Sequence, residues 1–165
     1  MKHMHQILRH FRRVLAPCLG LCLMLWGQAA SAQLCTTTAL PPVFAAYQAS
    51  GTGNNGTGSV SVSCVVLVGA QSVFYTVKLG LSGQAQGTQR RMSSGAAYLS
   101  YNLFCDSGYS QIWADGNSGT CVATGGQAGL LGTLLTVYPV YGRIPGGQYV
   151  APGSYSDIVS IEVLY

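Results

Sequence analysis

Apolar residues recur at every second position in several short stretches of the chain. In GSVSVSCVV, Val60, Val62 and Cys64 share one face, with Ser59, Ser61 and Ser63 on the other. SVFYTVKLGL sets Val73, Tyr75, Val77 and Leu79 against Phe74, Thr76 and Lys78, and AYLSYNLFC aligns Leu99, Tyr101, Leu103 and Cys105. LLTVYPVYGRI is apolar on both faces. The final stretch, YSDIVSIEVLY, alternates again, with Val159, Ile161, Val163 and Tyr165 opposite Ser160, Glu162 and Leu164. A period of two marks half-buried strands, and the enrichment in Val, Tyr, Leu and Thr agrees with it. Pro139 interrupts the fourth run; because proline cannot donate to a ladder, an edge, a strand switch or, most simply, a local bulge is expected there.

Between these runs lie ASGTGNNGTG, SGQAQGTQRRMSSG, DGNSGT, ATGGQAG and IPGGQYVAPGSY, whose Gly, Ser, Asn and Gln content reads as turns and loops. No sustained helical period with caps follows residue 33. The predicted fold is therefore all-β, an immunoglobulin-like antiparallel β-sandwich. About six strands are convincing where a complete sandwich of this kind has at least seven, so the last strand is expected to be missing.

The first residues are a separate matter. MKHMHQILRHFRR is basic, VLAPCLGLCLMLW is apolar but shorter than the roughly twenty residues that span a bilayer, and Ala30 to Ala32 supply a small-residue cleavage pattern. This predicts a signal peptide over residues 1–32 and one domain over 33–165, with no stable membrane insertion after cleavage. A lipoprotein anchor is disfavoured because Pro17 and Leu21 precede Cys18 and Cys22. The whole chain carries 8 Lys and Arg against 4 Asp and Glu. Beyond the signal, however, Lys78, Arg90, Arg91 and Arg143 balance Asp106, Asp115, Asp157 and Glu162. A neutral, charge-poor surface argues against nucleic acid.

All 3 histidines, His3, His5 and His10, also lie in the signal. Without them no Ser-His-Asp or Cys-His arrangement can be built, and no close Cys or His pair suggests a metal. No enzyme, cofactor or metal is expected. Cys35, Cys64, Cys105 and Cys121 remain, an even count that in an exported chain reads as two disulfides; of three possible pairings, sequence order favours Cys35 with Cys64 and Cys105 with Cys121. GTGNNG at residues 51–56 matches a dinucleotide-binding pattern by letter only, since a strand follows it, and it reads as a flexible loop. Asn55-Gly56-Thr57 is a formal glycosylation sequon. Arg90 and Arg91 read as a solvated pair in a polar loop.

Taken in order, an early cysteine, GSVSVSC, RRMSSGAAYLSYNLFCD, IWADGNSG, VYGRIPGGQYVAPGSYSD and a terminal strand ending in an aromatic resemble the spore coat protein U family. Its domains form the subunits of archaic chaperone-usher pili, and the resemblance runs from Cys35 to Tyr165. It implies a sandwich completed from outside, first by a periplasmic chaperone and then by a neighbouring subunit delivered through an outer-membrane usher. On this reading Val159, Ile161, Val163 and Tyr165 line the acceptor groove. Only Gln33 and Leu34 precede Cys35 in the expected mature chain, and two residues span only about 7 Å, so the subunit accepts a strand rather than donates one and belongs at a tip or outside the filament body.

The function these readings predict is a structural and adhesive subunit of a secreted fimbria, exported through the periplasm to the cell surface. One alternative is a self-contained secreted spore-coat or matrix protein. The other is a carbohydrate-binding sandwich that uses an exposed Trp113 and the Tyr-rich loops near Tyr109 and Tyr149 as platforms; against it, these aromatics could simply cap the core.

Overall fold

The structure is a computed structural model that describes residues 33–165, with the side chains of 33, 34, 66–71 and 129–131 outside the description. The predicted signal segment, residues 1–32, lies outside the described residues. Six strands follow in order: β1 (Gln33–Leu40), β2 (Gly53–Leu79), β3 (Arg90–Ser94), β4 (Ala97–Phe104), β5 (Ala123–Pro145) and β6 (Ile161–Leu164). There is no helix among the described residues. All named pairings are antiparallel.

Two very long strands organise the molecule. β2 and β5 pair along nearly their whole length, from Gly53↔Pro145 to Val77↔Ala123. Their first contact zone continues into a sheet of order β1-β2-β5-β4-β3, while β6 pairs with the far end of β2, Thr76–Leu79. Sequence periodicity divides β2 into two strands for a physical reason. Register shifts between Val66, Gln71 and Val73 move the buried set from even positions (Val60, Val62, Cys64) to odd ones (Val73, Tyr75, Val77, Leu79). A one-residue slip turns every following side chain to the other face, so the chain changes layers without ending the strand. The result is a curled antiparallel β-sandwich of the immunoglobulin-like class, its core filled by these two rows together with Leu99, Tyr101, Leu103, Val140, Ile144 and Trp113.

Several segments that read as loops are strand. Residues 53–58 belong to β2 and 123–129 to β5. Gly56 and Gly58 in the first of these segments, with Gly142 further along β5, permit a close crossing: a Cβ at Gly56 would come within 2.5 Å of the Val43 carbonyl oxygen, one at Gly142 within 2.6 Å of the Phe44 ring, and one at Gly58 would collide with the Leu40 carbonyl oxygen. Gly56, Gly58 and Gly142 thus mark where residues 40–44 lie across β2 and β5, and the flexible-loop reading of residues 51–56 is corrected for 53–56, which are strand.

Pro139 also departs from expectation. Its pairing with Ser59 continues the ladder without a register shift, so no bulge forms there. β4 engages only residues 141–143 of β5, which leaves Pro139 with one unpaired edge, a setting in which proline is tolerated in a strand.

Cys35 is bonded to Cys64 directly across the β1–β2 ladder, with Cα atoms 4.0 Å apart, and Cys105 to Cys121 across the loop that carries Trp113. Chain-entropy closure of loops of this size contributes on the order of 3–4 kcal/mol each.

Candidate functional site

β2 is covered by β5 along one edge, so β1 and β6 both lie on its other edge, at residues 59–66 and 76–79. Neither β1 nor β6 has a second strand partner among the described residues. Between them runs an open groove of about 700 Å³. One wall is the extended segment 39–47, the other is 153–161, and the floor is core: Val60, Leu79, Leu99, Leu103, Val140 and Ile144.

Each wall is fixed by polar contacts that leave its apolar side chains facing the groove. The Asn54 amide donates to the Ala45 carbonyl at 2.6 Å. The Tyr47 hydroxyl donates to the Pro145 carbonyl at 3.1 Å and accepts from the Gln148 backbone N–H at 2.8 Å. Phe44 meets Tyr101 edge to face, centroids 6.3 Å apart. On the opposite wall Ser93 and Ser156 exchange both backbone hydrogen bonds, and the Gly80 N–H donates to the Ser160 carbonyl at 2.8 Å, tying the segment before β6 to both β3 and β2.

Of the residues assigned to the groove from sequence, Val159 and Ile161 are in its wall. Val163 is half-buried against the core further along the same face. Tyr165 is 64% exposed and sits at the other end of β6, beside Phe74 and Leu164. Ser160, Glu162 and Leu164 face outward as the alternation predicts.

One polar cluster interrupts the apolar surface. The Tyr101 hydroxyl donates to Asp157 Oδ2 at 2.5 Å, and Asp157 Oδ1 accepts from the Ile158 N–H at 2.8 Å. Burial, then the Asp157 contact, push the Tyr101 phenol far above its ordinary pKa, so it stays a neutral donor. Beside it lies Arg90, and here the loop reading is overturned. Arg90 is fully buried on β3, because the strand alternates with Arg90 and Met92 inward. Its Nη2 donates to the carbonyls of Gly80 (2.7 Å), Trp113 (2.8 Å) and Leu79 (3.2 Å), and its Nε to Gly80 (3.1 Å). Desolvation lowers its pKa, opposed by the Asp157 carboxylate nearby.

Trp113 is likewise corrected. It is 1% exposed, its indole N–H donates to the Val77 carbonyl at 3.0 Å, and it packs edge to face on Tyr138. A ring held this way is no saccharide platform. Tyr149, in contrast, is 88% exposed.

The loop around Trp113 is ordered by two surface carboxylates. Asp106 accepts from the backbone of Gln111 (2.8 Å) and Ser110 (3.1 Å), and Asp115 from the Asn117 backbone (3.0 Å) and amide (2.7 Å). These bonds hold both acids below their ordinary pKa. A depressed folded-state pKa gives stabilisation that is complete above the unfolded value and is lost as pH falls through the folded one. Amide-exchange protection at Ser110, Gln111 and Asn117 is therefore expected to persist at neutral pH and to fall below about pH 4, and Asp106→Asn should flatten that dependence at Ser110 and Gln111. Protection unchanged down to pH 2 contradicts this prediction.

Among the described residues there is no group of three or more His, Cys, Asp or Glu placed to hold a metal ion. What the fold and groove define is an antiparallel β-sandwich with an apolar groove open between two unpaired strand edges. The family model of the Spore Coat Protein U domain matches residues 24–162, and the chain belongs to that family. Protein U of Myxococcus xanthus is 36% identical over 117 residues, which cover 67% of this chain and 60% of that protein. A solved structure of the CsuC-CsuE chaperone-tip adhesion subunit pre-assembly complex, from the archaic chaperone-usher Csu pili of Acinetobacter baumannii, is similar with 19% identity and a TM-score of 0.49, over 80% of this chain and 40% of that one. The chain thus spans about 60% of the length of the first and 40% of the second.

Proposed function

We propose that the protein is a structural subunit of a surface fibre of the chaperone-usher type, completed by an extended strand docked in the groove between segments 39–47 and 153–161. The observation that carries this reading is the groove itself, an apolar floor made of core residues and left open between two strands with free edges. An incoming strand would take main-chain hydrogen bonds from the β6 edge and seat alternate side chains against Val159 and Ile161, the division of labour seen in strand addition generally. Family membership supports a periplasmic chaperone as the first occupant and a neighbouring subunit as the second, with an outer-membrane usher between them and the cell surface as destination. Its role is architectural and adhesive rather than catalytic.

Open edges over an exposed core are an aggregation hazard. The exported chain alone is accordingly expected to aggregate or unfold at low denaturant, and a fused peptide of alternating apolar residues to give a soluble monomer with a raised urea midpoint. An unassisted chain that is already monomeric and cooperative, and that gains nothing from the peptide, would favour the self-contained coat protein instead.

A further inference from the structure

Period two places Tyr141 and Arg143 of β5 on the face opposite Val140 and Ile144, and so away from the groove. Beside them, after β4, Tyr109 adopts a left-handed backbone (φ 57°), a conformation that a bulky side chain rarely occupies without compensation. Asp106 supplies part of that compensation, because its carboxylate gathers the Ser110 and Gln111 amides just beyond and its carbonyl accepts from the Tyr109 N–H at 3.2 Å. The Tyr109 ring is then locked edge to face by Phe104 (5.6 Å) and Tyr141 (6.5 Å). The Arg143 guanidinium lies over it, with Cζ 5.4 Å from the ring centre.

Arg143 is exposed and has no hydrogen bond or ion pair to protein among the described residues. Directly across the ladder, Asn55 pairs with Arg143 and Thr57 with Tyr141, both exposed and with no side-chain hydrogen-bond partner among the described residues. A strained residue, a three-ring lock and an oriented but unused guanidinium therefore converge on one surface.

We propose that this surface binds a carboxylate-bearing saccharide, a uronate. The guanidinium is a planar fork that matches a carboxylate through two parallel N–H bonds, and stacking on Tyr109 restricts its orientation before the ligand arrives. The Asn55 amide and Thr57 hydroxyl can both donate and accept, as neighbouring sugar hydroxyls require. The single charge sets the ligand class: Arg90 is buried and Arg91 is engaged with the Gln84 carbonyl and Tyr98, so the site suits one carboxylate per unit rather than a polyphosphate.

The test is calorimetric titration of oligogalacturonate into the full exported chain kept soluble by the fused donor peptide, with the methyl ester as the uncharged control. Saturable binding to the acid but not the ester is expected. Arg143→Gln should weaken it at least about tenfold, as loss of a charge-assisted bidentate bond implies. Arg143→Lys, which keeps the charge but not the fork, should fall between, and Asn55→Ala gives a second variant with a several-fold loss. Arg91→Gln, at the other tyrosine-stacked arginine, should bind as wild type does. No binding by the wild type, equal binding to the ester, or an unaffected Arg143→Gln overturns the proposal. Because the groove plays no part, a failed strand-docking experiment leaves this result unaltered, and the reverse also holds.

Discussion

Arg90→Leu is expected to destabilise the protein by about 3–5 kcal/mol, the range found when one member of a buried ionic or hydrogen-bonded network is removed. Total stabilities are only about 5–15 kcal/mol, so little margin would remain. The cause is not loss of charge alone. Leu79, Gly80 and Trp113 all direct carbonyls at this one side chain, from the end of β2, the turn after it and the core loop. A leucine would fill the volume but leave those oxygens without this donor, each at about 1–3 kcal/mol if no water replaces it. Arg90→Lys separates geometry from charge. An ammonium on a flexible stem cannot reproduce the planar fork, so it should recover less than half of the loss. Urea unfolding of the wild type and both variants, each joined to the same donor peptide, measures the difference. A lysine variant with a wild-type midpoint would show that a cation suffices there.

The second large effect concerns the groove. Ile161→Asp should reduce capture of a donor peptide by at least about a hundredfold, because a docked strand would cover an unpaired carboxylate against apolar floor, a burial that costs several kcal/mol. Glu162→Gln, one residue along and facing solvent, should leave capture unchanged. Ile161→Ala removes apolar area without adding a charge and should fall between. Competition between labelled and unlabelled donor peptide on the exported chain gives all three values. Equal capture by Ile161→Asp and wild type would place the docked strand elsewhere.

Much of the fold was legible in the sequence where one face meets core and the other meets water. The rows Val60-Val62-Cys64, Val73-Tyr75-Val77-Leu79 and Leu99-Tyr101-Leu103 are buried in the structure as their alternation implies. Legibility failed where composition had a tertiary cause. Gly56 and Gly58 look like loop residues, yet they are strand positions stripped of side chains so that residues 40–44 can cross them. β3 was hidden because one of its two inward residues is Arg90, and a local reading assigns a charged side chain to solvent; the three converging carbonyls, distant in sequence, make its burial tolerable. Trp113 was misjudged because it lies in a polar, turn-rich stretch, and its anchor is the Val77 carbonyl on another strand. Of the four residues that the alternation assigned to the groove, only Val159 and Ile161 lie in its far wall, with Val163 and Tyr165 beyond it, so that wall could be read in part. The near wall could not, although Pro41 and Pro42 followed by Val43, Phe44 and Tyr47 signal an extended apolar segment once a place for it is known.

The long pairing of β2 with β5 also has a mechanical consequence. Hydrogen bonds in an antiparallel ladder run across the strands, so opposed tension along the two strand axes strains many of them together, whereas tension across the strands opens them one after another. From Gly53↔Pro145 to Val66↔Gly132, and again from Val73↔Gln127 to Val77↔Ala123, the two strands share such ladders on both sides of the register shifts. A pull along this axis meets resistance in shear, and the same pull turned through a right angle would unzip the molecule from its edge.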